Sequence, residues 1–165
     1  MRLEEFVREI RAARKELRVI KDIIRQELSE EQLMAHGEQA SPVAALYRED
    51  GLLVLRVIFE PRRTTVPHNH RTWSVVGIYR GQEDNKLFRR ARKGGIELTT
   101  GRSLTAGEIL ALGPGAIHSI CNPRSEPLIA LHVYGADLFD QGITEWDPAT
   151  MIERATSFPP TMRFG

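Results

Sequence analysis

Apolar residues follow two different periods along this chain, and the change between them falls near residue 40. In the first part Leu3, Phe6, Val7, Ile10, Leu17, Ile20, Ile24 and Leu28 recur mostly three and four apart, the spacing of an amphipathic helix with one buried stripe. Ser29-Glu30-Glu31-Gln32 then has the form of a capping box, in which the serine hydroxyl and the glutamine side chain satisfy free helix-end donors, so a second short helix is expected to start there. From Val43 to Phe139 the text changes to short β-favouring runs: LLVLRVIFE, TWSVVGIYR, NKLFRRA, GIELTT, EILAL, HSIC and LIALHVY. GQED, RKGG, TAGE and NPRSEP lie between them as turns, since Gly, Pro, Asn and Asp tolerate the backbone that turns require. This pattern predicts an all-β barrel or sandwich. No helix-length pattern interrupts it, which argues against a βαβ arrangement. The tail ITEWDPATMIERATSFPPTMRFG contains prolines and is expected to be irregular and to cover one end of the barrel. The expected organisation is one domain over 1–165, with a helical leader at 1–40, a barrel at 43–140 and an irregular tail at 141–165.

Composition narrows the function classes. A length of 165 residues suits one domain that can bury a core without disulfides. With 23 Lys plus Arg against 22 Asp plus Glu, the formal net charge is +1, which supplies no bulk attraction to nucleic acid or to an anionic membrane. A small-molecule partner fits better. The single cysteine, Cys121, excludes an intrachain disulfide, and MRLEEFVREI is charged where a secretory signal would be apolar. No stretch approaches the roughly 20 apolar residues that span a bilayer, so the expected location is cytoplasmic.

Histidine placement carries the chemical signal. In His68-Asn69-His70 the two imidazoles are two residues apart, so on a strand both point to one face and suit a single metal. Alone, such a pair is more readily a chance occurrence that merely hydrogen-bonds. Two blocks extend it: His68-x-His70 with Gly81 eleven positions on, and Gly107-x5-Gly113-Pro114-Gly115-x2-His118-x3-Asn122. These resemble the two conserved blocks of the cupin superfamily, the second block departing only in Gly113, where the family has proline. The resemblance implies a cupin double-stranded β-helix (jelly-roll) barrel with His68, His70 and His118 as metal ligands. Cupins commonly add a glutamate a few residues after the second histidine, but Arg71-Thr72-Trp73-Ser74-Val75-Val76 contains no carboxylate. Three neutral imidazoles would leave the ion its full charge and three open positions in an octahedral shell.

Among three-histidine cupins the chain most resembles the thiol dioxygenases, namely cysteine dioxygenase and 3-mercaptopropionate dioxygenase. PHNHRTWSVVGIYRG, LGPGAIHSICNP and LHVYGADLF carry the likeness. It implies Fe(II) as cofactor, and a small thiol acid and O2 as partners that react to give a sulfinic acid. A soft thiolate suits Fe(II) and offsets the charge that a carboxylate ligand would otherwise cancel. The family's His-x-Tyr pair falls on His132 and Tyr134, with the phenol beside the metal and the imidazole orienting it. The family's preceding serine is Ala130 here, so a water or a backbone carbonyl is expected as the outer partner of His132. Mammalian-type members cross-link the tyrosine to a cysteine seven residues after the first ligand. That position is Val75 here, so Tyr134 is expected to remain an unmodified phenol.

Substrate recognition is less determined. The family binds the substrate carboxylate with an arginine or glutamine; Arg48 is the nearest counterpart and Arg71 the second, each as a bidentate clamp, and each equally readable as a solvated surface arginine. Alternation puts Leu55, Val57 and Phe59 on one strand face, so Val57 and Phe59 are expected at the pocket and Arg56 away from it. By the same parity Trp73 and Cys121 face away from the metal. Other readings stay open: a metal cupin of another class, such as an isomerase or a carbon–carbon dioxygenase, or a binding cupin without turnover. His36, outside any motif, is expected to be solvated.

Overall fold

The computed structural model describes residues 2–30, 41–49 and 51–164. The amphipathic leader forms two helices, α1 (Leu3–Ala12) and α2 (Leu17–Glu30), rather than one. Between them Arg14 and Lys15 adopt φ of 48° and 68°, a left-handed turn unusual for residues with a Cβ. No glycine or proline announces the break. It lets Phe6, Val7 and Ile10 of α1 and Ile20, Ile24 and Leu28 of α2 enter a single core cluster. Full burial of such side chains is worth about 1.5–3 kcal/mol each, which outweighs the local strain. α2 runs through Ser29 without interruption; the short helix expected after it, and His36, lie outside the described residues.

The strands are β1 (Val43–Glu49), β2 (Leu52–Phe59), β3 (Arg63–Thr65), β4 (His68–Asn69), β5 (Ser74–Arg80), β6 (Gln82–Arg90), β7 (Ile96–Thr105), β8 (Ile109–Leu112), β9 (Ile117–Cys121), β10 (Leu128–Tyr134), β11 (Ile143–Trp146), β12 (Glu153–Thr156) and β13 (Met162–Phe164), with a one-turn helix α3 (Leu138–Gln141) between β10 and β11. One sheet has the order β1-β2-β10-β5-β8, and the other runs β12-β11-β4-β9-β3-β13, with β6 joined to β9 and β7 to β6. All pairings are antiparallel.

The first sheet is buried on both faces, which is why β2 and β5 read as nearly continuous apolar runs instead of alternating. Leu52, Val54, Val75, Leu131 and Val133 face the helices. Phe59, Val76, Ile78, Leu128 and Ala130 meet Leu104, Leu110 and Ile120 between the sheets. Gly77 permits the close approach of α2, since a Cβ there would stand 2.7 Å from both Ile24 Cγ2 and Leu28 Cδ1. Among the described residues no helix is long and apolar enough to cross a membrane.

Two expectations need correction. The segment GQED is mostly strand, because Gln82, Glu83 and Asp84 open β6 and pair with Thr105, Leu104 and Ser103. The tail is not irregular: β11 pairs with β4 and β12, and β13 pairs with β3. Residues of β12 and β13 are largely exposed, so backbone ladders rather than a buried side-chain pattern define these strands, and hydrophobic periodicity misses them.

Candidate functional site

β4 and β9 lie side by side with His68 opposite His118, and this register assembles the site. His70 follows immediately after β4, where Arg71 turns the chain at φ 57°. Ligand atoms of His68, His70 and His118 all lie within 4.8 Å of one another, and all three side chains are buried. His68 Nδ1 lies 2.9 Å from the Val66 carbonyl oxygen, an acceptor that fixes the hydrogen on Nδ1 and leaves Nε2 as a lone pair. His118 Nδ1 lies 3.1 Å from Asn85 Oδ1, while its Nε2 is buried without a hydrogen-bond partner. An unpartnered buried nitrogen is costly, and coordination of a metal ion would satisfy it. The three imidazoles therefore fit a divalent first-row ion.

Burial holds these rings neutral, as ligation requires. His68 is lowered to about 4, mainly by desolvation, with the Val66 carbonyl and Glu145 opposing the shift. His70 and His118 are lowered well below the ordinary histidine value by burial and then by their neighbours. Asn69 points to the other side of β4, and its amide donates to the carbonyls of Pro114 and Ala116 at 2.9 and 2.6 Å. The turn that delivers His118 is held by these bonds rather than by glycine conformation, since a Cβ at Gly113 or Gly115 would meet open space and neither has a positive φ. Gly107, with φ 84°, turns the chain earlier, ahead of β8.

On β10, His132 and Tyr134 face the same cavity. His132 Nδ1 lies 2.8 Å from the Tyr134 hydroxyl, and the Tyr134 ring is 4.8 Å from that of His70. Desolvation, followed by the charge of Glu83, raises Tyr134 above the ordinary tyrosine value, so it stays a phenol. Burial lowers His132 to about 3. Among the described residues its buried Nε2 has no hydrogen-bond partner, so the backbone carbonyl expected as its outer partner is not found there. No cysteine approaches Tyr134: Val75 sits in the core beneath the helices, and Cys121 is placed opposite Thr64 and Asp84.

The cavity over the histidines is small, about 40 Å³, and Val57 and Phe59 form part of its wall. Tail residues Phe158, Pro159, Pro160 and Met162 close another side. Neither arginine expected at a substrate carboxylate lines it. Arg48 lies outside, bridging Asp137 Oδ2 at 2.6 Å and Asp140 Oδ1 at 2.7 Å, two carboxylates presented by the start of α3. Arg71 is exposed and donates to the Gln141 carbonyl. Among the described residues the cavity wall contains no Lys or Arg. Sequence reasoning also missed Glu83 and Asn85, which alternate inward on β6 at 1% and 2% exposure. Their spacing of two was the available signal, obscured by turn-like composition.

No family model matches the chain. Among solved structures, an RmlC-like cupin family protein with a double-stranded β-helix fold from Methanocaldococcus jannaschii aligns at a TM-score of 0.50 and 13% identity, over 62% of this chain and 88% of that one. The chain has the cupin fold. A cupin domain from Schizosaccharomyces pombe aligns at 0.49 and 13% identity over 60% and 66% of the two chains. A recombinant oxalate oxidase in complex with glycolate aligns at 0.45 and 20% identity over 53% of this chain. This chain spans 43% of that oxidase.

Proposed function

We propose that this cupin is a non-haem Fe(II) dioxygenase that oxidises a small thiol carboxylic acid, of the cysteine or 3-mercaptopropionate class, to its sulfinic acid. The reaction balances as RSH + O2 → RSO2H, with both oxygen atoms ending on sulfur. The observation that carries the reading is Tyr134 at 2.8 Å from His132 and packed on His70, beside three histidines with no carboxylate among them.

Fe(II) held by His68, His70 and His118 would supply the positive charge that binds a thiolate and a carboxylate of one substrate and the electron path between sulfur and O2. Among the described residues no Lys or Arg lines the wall, so in this reading the substrate carboxylate would turn to the metal rather than to an arginine. A volume of about 40 Å³ favours a compact acid. Val57, Phe59 and Phe158 exclude water, which strengthens every polar contact inside. In the tautomer that carries its hydrogen on Nδ1, His132 would donate to the phenol oxygen at 2.8 Å and leave the phenol's own proton to point at developing negative charge on oxygen.

The test is anaerobic loading with Fe(II) followed by O2 uptake across a panel of small thiols with and without a carboxylate. One O2 consumed per sulfinic acid formed is expected with at least one thiol acid. Absence of uptake with every thiol, in protein carrying one iron per chain, would refute the assignment.

A further inference from the structure

We propose that Glu83 and Asn85 form a buried relay that fixes the tautomer of His118 and so prepares it to bind metal. The inference rests on the metal-site part of the reading above and not on thiol oxidation. β6 runs antiparallel to β9 with Asn85 opposite Ile120 and Leu87 opposite His118, which brings the inward side chains of one strand against the ligand of the other. Asn85 Nδ2 donates to Glu83 Oε1 at 2.8 Å, and Asn85 Oδ1 faces His118 Nδ1 at 3.1 Å.

An asparagine amide has a donor end and an acceptor end of nearly equal shape, and its partners decide which way it points. A glutamate carboxyl offers an acceptor oxygen whether ionised or protonated. The NH2 group of Asn85 therefore belongs on the Glu83 side and its carbonyl on the His118 side. The carbonyl can only accept, so the imidazole hydrogen must sit on His118 Nδ1. That leaves the Nε2 lone pair, buried and otherwise unpartnered, free for a metal. With the amide reversed, its NH2 would face Nδ1, the hydrogen would move to Nε2, and the ligand would be blocked. His68 needs no such device, because its Nδ1 meets the Val66 backbone carbonyl, which no side-chain replacement removes. Glu83 and Asn85 are positioning residues, acting on the metal through His118.

The experiment uses metal-free protein with 15N-labelled histidine, whose tautomers are read from long-range 1H–15N spectra, and Co(II) titration as the binding probe. Wild-type His118 should carry its hydrogen on Nδ1. In Glu83→Gln, whose amide can either accept or donate, His118 should show both tautomers and Co(II) should bind about 10–100-fold more weakly, while the His68 tautomer stays unchanged. Adding Asn85→Asp to Glu83→Gln should restore both readouts, because an aspartate presents acceptors to His118 in either orientation; a purely structural defect would not recover. A wild-type His118 protonated on Nε2, which requires no variant to detect, overturns the relay. So does a Glu83→Gln protein with an unchanged tautomer and unchanged Co(II) affinity. Protein that passes these tests but oxidises no thiol would refute the catalytic assignment alone.

Discussion

Glu83→Gln should also change how stability depends on pH. The Glu83 carboxyl is almost fully buried, and desolvation pushes it up to about 7, with Asp84 adding to the shift and the Asn85 amide opposing it. Against an ordinary value of 4.5, the difference corresponds to about 3 kcal/mol at 1.36 kcal/mol per unit. The folded state holds this proton more tightly than the unfolded one. Its contribution is therefore fully present below pH 4.5 and is lost as pH rises through 7, with about 2.5 kcal/mol of the change falling between pH 5 and 8. The buried histidines act in the opposite sense: His68 and His132, lowered to about 4 and about 3, withdraw stability as pH falls below their ordinary value. Comparing wild type with Glu83→Gln cancels those terms. Urea denaturation of both metal-free proteins from pH 5 to 8 should show wild type losing about 2.5 kcal/mol relative to the variant across the range. A difference between the two that stays flat across this range would mean that Glu83 titrates like an exposed carboxylate, and the burial argument would be wrong.

Four further outcomes are expected. His118→Ala should lose the metal, as measured by elemental analysis after Fe(II) loading. Tyr134→Phe should retain iron and turn over roughly a hundredfold or more slowly, and peptide mass spectra of the wild type should show no cross-link at Tyr134. Arg48→Gln should leave KM for the thiol acid within about twofold of wild type, because its guanidinium is committed to Asp137 and Asp140 outside the cavity; a large rise in KM would place Arg48 at the substrate. Gly77→Ala should destabilise the fold by about 1–3 kcal/mol in urea without altering metal content, since the new methyl group pushes on Ile24 and Leu28.

How much the sequence revealed depended on where each residue finds its partner. The strands beneath the helices were legible because β-branched and apolar runs report burial directly, and His68, His70 and His118 were legible because strand parity and block spacing are local. β1, in which Tyr47, Arg48 and Glu49 are not buried, carries little periodic signal. β12 and β13 are defined by backbone pairing that leaves no mark on the side chains. The left-handed turn at Arg14 and Lys15 is set by the packing of two helices on a sheet, not by any residue within it. Arg48 was misplaced for a similar reason: the carboxylates that hold it lie about 90 positions further along the chain. Glu83 looked like part of a turn because polar residues on a buried face imitate a loop when read one at a time.

Asn69 has a consequence for redesign of the ligand set. It lies between His68 and His70, and its amide donates to the carbonyls of Pro114 and Ala116 in the turn leading to His118. The two halves of the site are thereby latched to each other from behind, as a clasp holds two ends of a band. Replacing His70 with a carboxylate would leave this clasp intact, so the new side chain would have to meet any bound ion where His68 and His118 already stand. Loosening the clasp instead, with Asn69→Ala, would let one half drift against the other and change the span between ligands without altering a single ligand. An engineer seeking a larger ion or a different coordination number would do better to begin at the back of the strand.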